Sequence, residues 1–323
     1  MAARNLRILF TSAGRRVELL RCFRAAAEAL GISLGIIATD VSPGLSAACH
    51  EADEALRTPN SIDPDFGKSV LDICRRGGVC LVVPTIDHDL LPLSRMRASF
   101  DEVGTELAVS SPAVVEIARD KLKSAEFLTA HGIRAPATAR LGEAVETRWA
   151  WPVLAKPQHG SASRAIQRID CAERLRELRA DEPFVIQEML KAPEFTVNMF
   201  FDRTGKLISA VPHERLQVRA GEVEKGITRR RADLIEIARK MASALPGPRG
   251  ALCFQAMTAA DGAPSVIEIN TRFGGGYPLA DRAGAPFARW LLEEALGRTV
   301  TASDDWKEGV LMLRYDAAVF LSA

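Results

Sequence analysis

Short apolar runs alternate with stretches of helical periodicity over the first 110 residues, and no other feature restricts the fold of this chain as strongly. Residues 6–11 read as a buried strand, and residues 16–30 carry Val17, Leu20 and Phe23 or Ala27 at helical spacing. A second apolar run at 34–39 ends in Asp40, residues 69–74 sit in a helix, and further strand patterns follow at 79–84 and 106–110. Strands separated by helices need right-handed crossovers, which predicts a parallel sheet with helices on both faces.

The pattern changes near residue 110. Ser111-Pro112 opens a helix that carries Asp120-Lys121, and a second helical stretch runs to His131-Gly132. Strand patterns follow at 151–156, 165–169 and 184–188, with a charged helix at 172–179, and longer ones at 195–202, 207–212, 251–258 and 264–270. Asp202-Arg203-Thr204-Gly205 between two apolar runs predicts a hairpin, so this part is antiparallel.

The chain of 323 residues suggests about two domains. Its 42 basic and 41 acidic residues leave no overall field to gather nucleic acid or an anionic membrane, so any bound anion must be held locally. Uncharged stretches such as 29–39 and 250–260 fall well short of the roughly 18 residues of a membrane span. With no signal-like apolar run behind Arg4 and Arg7, the expectation is a cytoplasmic protein. Cys22, Cys49, Cys74, Cys80, Cys171 and Cys253 contain no Cys-x-x-Cys pair, and neither a zinc site nor a disulfide framework is indicated.

Three segments carry chemistry. Residues 153–163 present Lys156 at a strand end and then small residues, where backbone amides approach phosphate closely, although the Gly-Lys-Ser/Thr of a Walker loop is missing. Residues 184–190 are a β-branched and aromatic run ending in acceptors, with Glu194 just beyond. In residues 265–272, strand alternation puts Glu268, Asn270 and Arg272 on one face and Ile267 and Ile269 on the other. Two hard oxygen donors beside a cation suit Mg²⁺ and phosphate, although a salt-bridged sheet surface has the same pattern. The first turn, Ser12-Ala13-Gly14-Arg15-Arg16, lacks the glycines of a dinucleotide fingerprint and reads as a plain strand-to-helix turn with two arginines.

Taken in order, Asp120-Lys121, Lys156 with its small-residue loop, Gln187-Glu188, Glu194-Phe195-Thr196-Val197 and Ile267-Glu268-Ile269-Asn270-Thr271-Arg272 resemble the ATP-grasp superfamily over nearly the whole chain. The residues 272–279 give this resemblance the flavour of the carbamoyl-phosphate-synthase large subunit and of carboxylate-amine ligases. The fold implied is two α+β lobes clasping ATP behind a Rossmann-like pre-ATP-grasp domain: residues 1–110, then lobes at 111–190 and 191–323. The cofactors implied are ATP and Mg²⁺, as one or two ions, with Mn²⁺ able to substitute.

The resemblance also assigns roles. Lys121 and Lys156 match the α- and β-phosphate cations, and Gly160, Ser161 and Ser163 the phosphate cover. Gln187, Glu188, Met189 and Leu190 match the adenine-binding hinge, and Glu194 the ribose carboxylate. Glu268 and Asn270 match the metal ligands, with Gln255 where a second acidic ligand is usual; Arg272 matches the side chain that steadies an acyl-phosphate, and Lys225 is loosely aligned with a γ-phosphate contact. Gly274, Gly275 and Gly276 offer bare backbone near the acyl-phosphate, and Arg15 and Arg16 an acidic substrate end.

The reaction implied is ATP-dependent ligation of a carboxylate to an amine, releasing ADP and phosphate. The expected partners are small-molecule substrates rather than nucleic acid or membrane, with a homodimer as an open assembly. Two alternatives stand beside it: a bicarbonate-using carboxylase or carbamoyl-phosphate-forming relative, and a non-catalytic ATP-binding module.

Overall fold

The computed structural model describes residues 5–160, 165–259 and 261–321. The first sheet holds β1 (Asn5–Thr11), β2 (Ser33–Asp40), β3 (Glu54–Arg57), β4 (Leu81–Pro84) and β5 (Glu106–Leu107) in the order β3-β2-β1-β4-β5. All neighbours are parallel, with Ile8 opposite Ile36 and Leu81. This is the sheet the alternation requires: β1 and β4 are apolar and covered on both faces, as central parallel strands must be. The short, charged β3 was not legible as a strand, because it lies at the sheet edge and depends on pairing with β2.

A second sheet of β6 (Thr138–Arg140), β7 (Val153–Pro157), β8 (Gln167–Ile169) and β9 (Phe184–Glu188) is antiparallel in the order β6-β9-β7-β8. It has its own small core of Val153, Ala155, Ile169, Leu175, Phe184 and Ile186. The third sheet, also antiparallel, runs β14-β13-β10-β11-β12-β15, from β10 (Lys191–Phe201), β11 (Leu207–Arg219), β12 (Glu222–Thr228), β13 (Gly250–Thr258), β14 (Pro264–Asn270) and β15 (Leu311–Leu313). The predicted hairpin joins β10 to β11: Gly205 takes a φ of 83° and donates to the Asp202 carbonyl at 3.0 Å. The Asp202 carboxylate accepts from the amides of Thr204 and Lys206.

The first and third sheets share one core. Phe10 and Phe23 from the first domain pack with Phe273, Phe287 and Trp290, and Phe23 meets Phe273 at 5.9 Å between ring centroids. Buried Arg249 adds an ionic tie, pairing with Glu294 at 2.8 Å and with Glu106 at the start of β5. A cleft therefore opens where the carboxyl ends of the parallel strands meet the two antiparallel sheets.

Candidate active site

The cleft encloses about 710 Å³ and takes its lining from the second and third sheets, together with Arg15 and His88 from the segments that follow β1 and β4 of the first. Its basic wall starts at Asp120. The sequence suggested that Asp120-Lys121 lies within a helix, but the chain breaks there into helices Pro112–Arg119 and Lys121–Ala130. Asp120 caps the second helix, accepting from the amides of Leu122 at 2.9 Å and Lys123 at 3.3 Å. Its other carboxylate oxygen accepts from Gln158 Nε2 at 2.9 Å, and Lys121 Nζ donates to the Gly160 carbonyl at 2.9 Å. The helix start thus anchors the beginning of the small-residue loop. Ser161 and Ser163 lie outside the described residues.

Lys156, near the end of β7, faces the same space and is 8% exposed. Burial, and then the charge of Lys121, push its pKa down to about 8, partly offset by Glu268. Lys121 is lowered as well, chiefly by burial. Glu268 moves the opposite way: burial raises its pKa, against the pull of Lys121 and Lys156. Two desolvated ammonium groups that act on each other and share the influence of Glu268 make a local demand for anion, in a chain whose total charge is near zero.

On β14, Glu268, Asn270 and the following Arg272 all line the cleft, as alternation predicts, but so does Ile267, expected on the other face, because the register with β13 shifts there and leaves it unpaired. Arg272 Nη2 bonds Asp87 Oδ2 at 2.8 Å and reaches Asn270 Oδ1 at 3.3 Å. The buried Arg272 Nε has no acceptor among the described residues. Asp87 opens the helix Asp87–Arg95 just after β4, so this pair ties the end of a strand of the first sheet to the end of β14. The donor set fits Mg²⁺. The ion binds through one or two carboxylates together with phosphate oxygens and water. Glu268 and Asn270 supply such a partial set, and among the described residues no cluster of three or more His, Cys, Asp or Glu could hold a metal alone.

Gln187, Glu188 and Leu190 line the cleft at the end of β9, and Glu194 follows on β10. Gln187 is buried and donates to Thr138 Oγ1 at 2.8 Å, while the Glu188 carboxylate accepts from the Ala137 amide at 3.3 Å. Both side chains therefore brace β6. Met189 is half-exposed and stands apart from the lining residues.

Arg15 and the glycines Gly274, Gly275 and Gly276 line the opposite end of the cleft. Arg16 is close behind, 3.7 Å from Glu222, and its pKa is lowered mainly by burial and then by Arg272. The glycines answer a packing need as well as offering backbone. A Cβ on Gly275 would lie 2.8 Å from the Glu222 carboxylate, and one on Gly276 would lie 2.7 Å from Nε2 of the fully buried His213.

Lys225 is a correction to the sequence reading. It is exposed in the middle of β12, opposite Leu313 of β15, and is not part of the cleft lining. Residues 222–226 pair with β11 as a strand, which fixes Lys225 in the sheet. Sequence reasoning also missed Asp87, Arg215 and Glu222. Asp87 had a usable signal, since Asp87-His88-Asp89 follows a parallel strand at its carboxyl end, where open sheets bind ligands. Arg215 and Glu222 had none, because only the pairing of β11 and β12 brings them to the cleft.

Residues 8–108 match the PylC-like N-terminal domain and residues 118–276 the ATP-grasp domain. A D-alanine–D-alanine ligase of Marinobacter nauticus is 25% identical over 179 residues, which cover 52% of this chain and 50% of that ligase. The chain thus spans about half the length of that relative, and 37% of a second D-alanine–D-alanine ligase, from a Marinomonas species. Among solved structures, a biotin carboxylase complex from Campylobacter jejuni superposes with a TM-score of 0.75 at 16% identity, covering 94% of this chain and 73% of that one. An L-amino acid ligase from Bacillus licheniformis superposes with a TM-score of 0.67 at 18% identity, covering 91% and 75%.

Proposed function

This chain belongs to the ATP-grasp superfamily, and on that premise we propose that it is an ATP- and Mg²⁺-dependent carboxylate-amine ligase working through an acyl-phosphate. The observation that carries the reading is the desolvated pair Lys121 and Lys156 facing Glu268 and Asn270 across one cleft, with Arg272 beside them.

In this reading Lys121 and Lys156 hold the α- and β-phosphates. Lys156 is mostly protonated near pH 7, and an arriving phosphate favours its charged form further. Glu268 and Asn270 hold Mg²⁺, which when bound supplies positive charge to the transferring phosphoryl group. Arg272, kept in place by Asp87, meets the acyl-phosphate oxygens. A carboxylate is a poor electrophile; phosphorylation by ATP gives it a phosphate leaving group, which the amine then displaces. Positioning and charge carry most of phosphoryl transfer, so no protein nucleophile is needed. The adenine lies along 187–190, with Glu194 on the ribose. Arg15, Arg16 and the glycines 274–276 receive the substrate's acidic end.

Residues 1–110 act as the substrate-side domain, and 111–190 and 191–323 as the two ATP lobes. The partners are small carboxylates and amines, and the setting is the cytoplasm, with a homodimer as the assembly. No helix of the described residues is long and apolar enough to cross a membrane.

The test is phosphate release from ATP·Mg²⁺ across pools of carboxylates, amines and bicarbonate, with mass analysis of products. Release that needs both an acid and an amine supports the ligase. Release with bicarbonate alone points to a carboxylase, and no turnover with any pool points to a binding module. A Glu268→Gln variant that still turns over ATP·Mg²⁺ like the parent would sink the metal assignment.

A further inference from the structure

Gln255 sits on β13 directly opposite Glu268 on β14, where a metal ligand was expected. Its neighbours decide which way the amide points. Arg215, whose side chain is 4% exposed, can only donate, and Glu268, as the carboxylate a metal ligand must be, can only accept. Both are satisfied when the amide oxygen accepts from Arg215 Nη1 at 2.9 Å and the amide NH₂ donates to Glu268 Oε2 at 3.2 Å. The reverse orientation sets donor against donor and acceptor against acceptor. Arg215 is itself fixed, paired to Glu194 and donating from Nη2 to the Gly221 carbonyl at 2.8 Å.

From this geometry we infer that Gln255 is a positioning residue rather than a metal ligand, and that the protein anchors one divalent ion instead of two. The amide oxygen is spent on a guanidinium, and a dication at its second lone pair would meet the repulsion of that cation. The NH₂ group has no lone pair to give. Asp87, a carboxylate whose charge acts on Glu268, is held by Arg272. Glu268 and Asn270 remain as the protein's oxygen donors: Asn270 Oδ1 also meets a guanidinium, but at 3.3 Å from Arg272 Nη2, which gives its shorter bond, 2.8 Å, to Asp87. The chain Glu194, Arg215, Gln255, Glu268 then ties the carboxylate assigned to the ribose to the carboxylate assigned to the metal, and fixes the angle at which Glu268 enters the cleft.

This inference rests on the reading of Glu268 as a metal ligand, and the experiment separates the two. Mn²⁺ is titrated into the folded chain with a non-hydrolysable ATP analogue, and bound ions per chain are counted from the free-Mn²⁺ resonance. The parent should hold one ion. Gln255→Leu should still hold one, with affinity lower by about 10-fold or more because its orienting partner is gone. Gln255→Glu, which supplies a carboxylate at the same position, should hold two. Two ions in the parent and one in Gln255→Leu would overturn the inference, since Gln255 would then be a ligand. If Glu268→Gln retained the parent's full count, the underlying metal reading would fail and the inference with it.

Discussion

Replacing His213 with Gln should make the protein less sensitive to acid. His213 lies on β11 with no exposed surface, and its Nδ1 is 3.2 Å from the Asn198 amide nitrogen. Burial, helped by the charge of Arg215, holds its pKa down from the ordinary 6.5 to about 3. The unfolded chain therefore takes up a proton near pH 6.5 and the folded chain only near pH 3. The contribution of neutral His213 is fully present above 6.5 and is lost as pH falls through that window, a loss of about 2 kcal/mol between pH 7 and pH 5.

Asp89 works in the other direction. It too has no exposed surface, and burial lifts its pKa from 3.8 to about 6, against hydrogen bonds from Thr11 and Ser12. Its folded form protonates first, so the same acidification returns about 1 kcal/mol. Asp89 thus offsets about half of the histidine's effect in the parent, and the difference between parent and variant isolates the histidine. Urea unfolding of parent and His213→Gln at pH 7 and pH 5, followed by circular dichroism, should give the variant an acid loss smaller by about 2 kcal/mol. Equal losses in the two proteins would refute the claim that burial keeps His213 neutral.

Two further outcomes concern the cleft. Gly276→Ala puts a methyl 2.7 Å from His213 Nε2 and 2.9 Å from Val223, neither of which has room to retreat. The expected cost is about 1–3 kcal/mol in urea unfolding, with weaker binding of the acid substrate; unchanged stability would show that the loop shifts freely. Asp120→Ala removes a helix cap and the anchor of Gln158 together, so it should destabilise by about 1 kcal/mol and raise the KM for ATP more than it lowers kcat. A variant with the parent's KM would mean that the loop is positioned by other contacts.

The parts of the fold that were legible in the sequence are those where local pattern and tertiary outcome agree. Residues 6–11 and 79–84 are apolar because a central parallel strand is covered on both sides, so composition alone marks them. Glu268, Asn270 and Arg272 could be placed on one face because a strand has period two whatever its partner is. The convergence of Lys121 and Lys156 on Glu268 came only from the family resemblance and not from local pattern, because 35 residues separate the two lysines and the residue that joins their segments is a cap, Asp120.

What only the tertiary structure decided depends on pairings distant in sequence. β12 carries three charged residues and a glycine and shows no strand pattern; its register against β11 and β15 turns Lys225 to solvent and brings Glu222 to the cleft. Asp87 meets Arg272 across 185 positions of sequence, through a core shared by the first and third sheets. Gln255 is an acceptable metal ligand by residue type alone. Its orientation is set by Arg215, a donor 40 positions earlier in the chain, and hydrogen-bond direction is a property that a side chain acquires only from its neighbours.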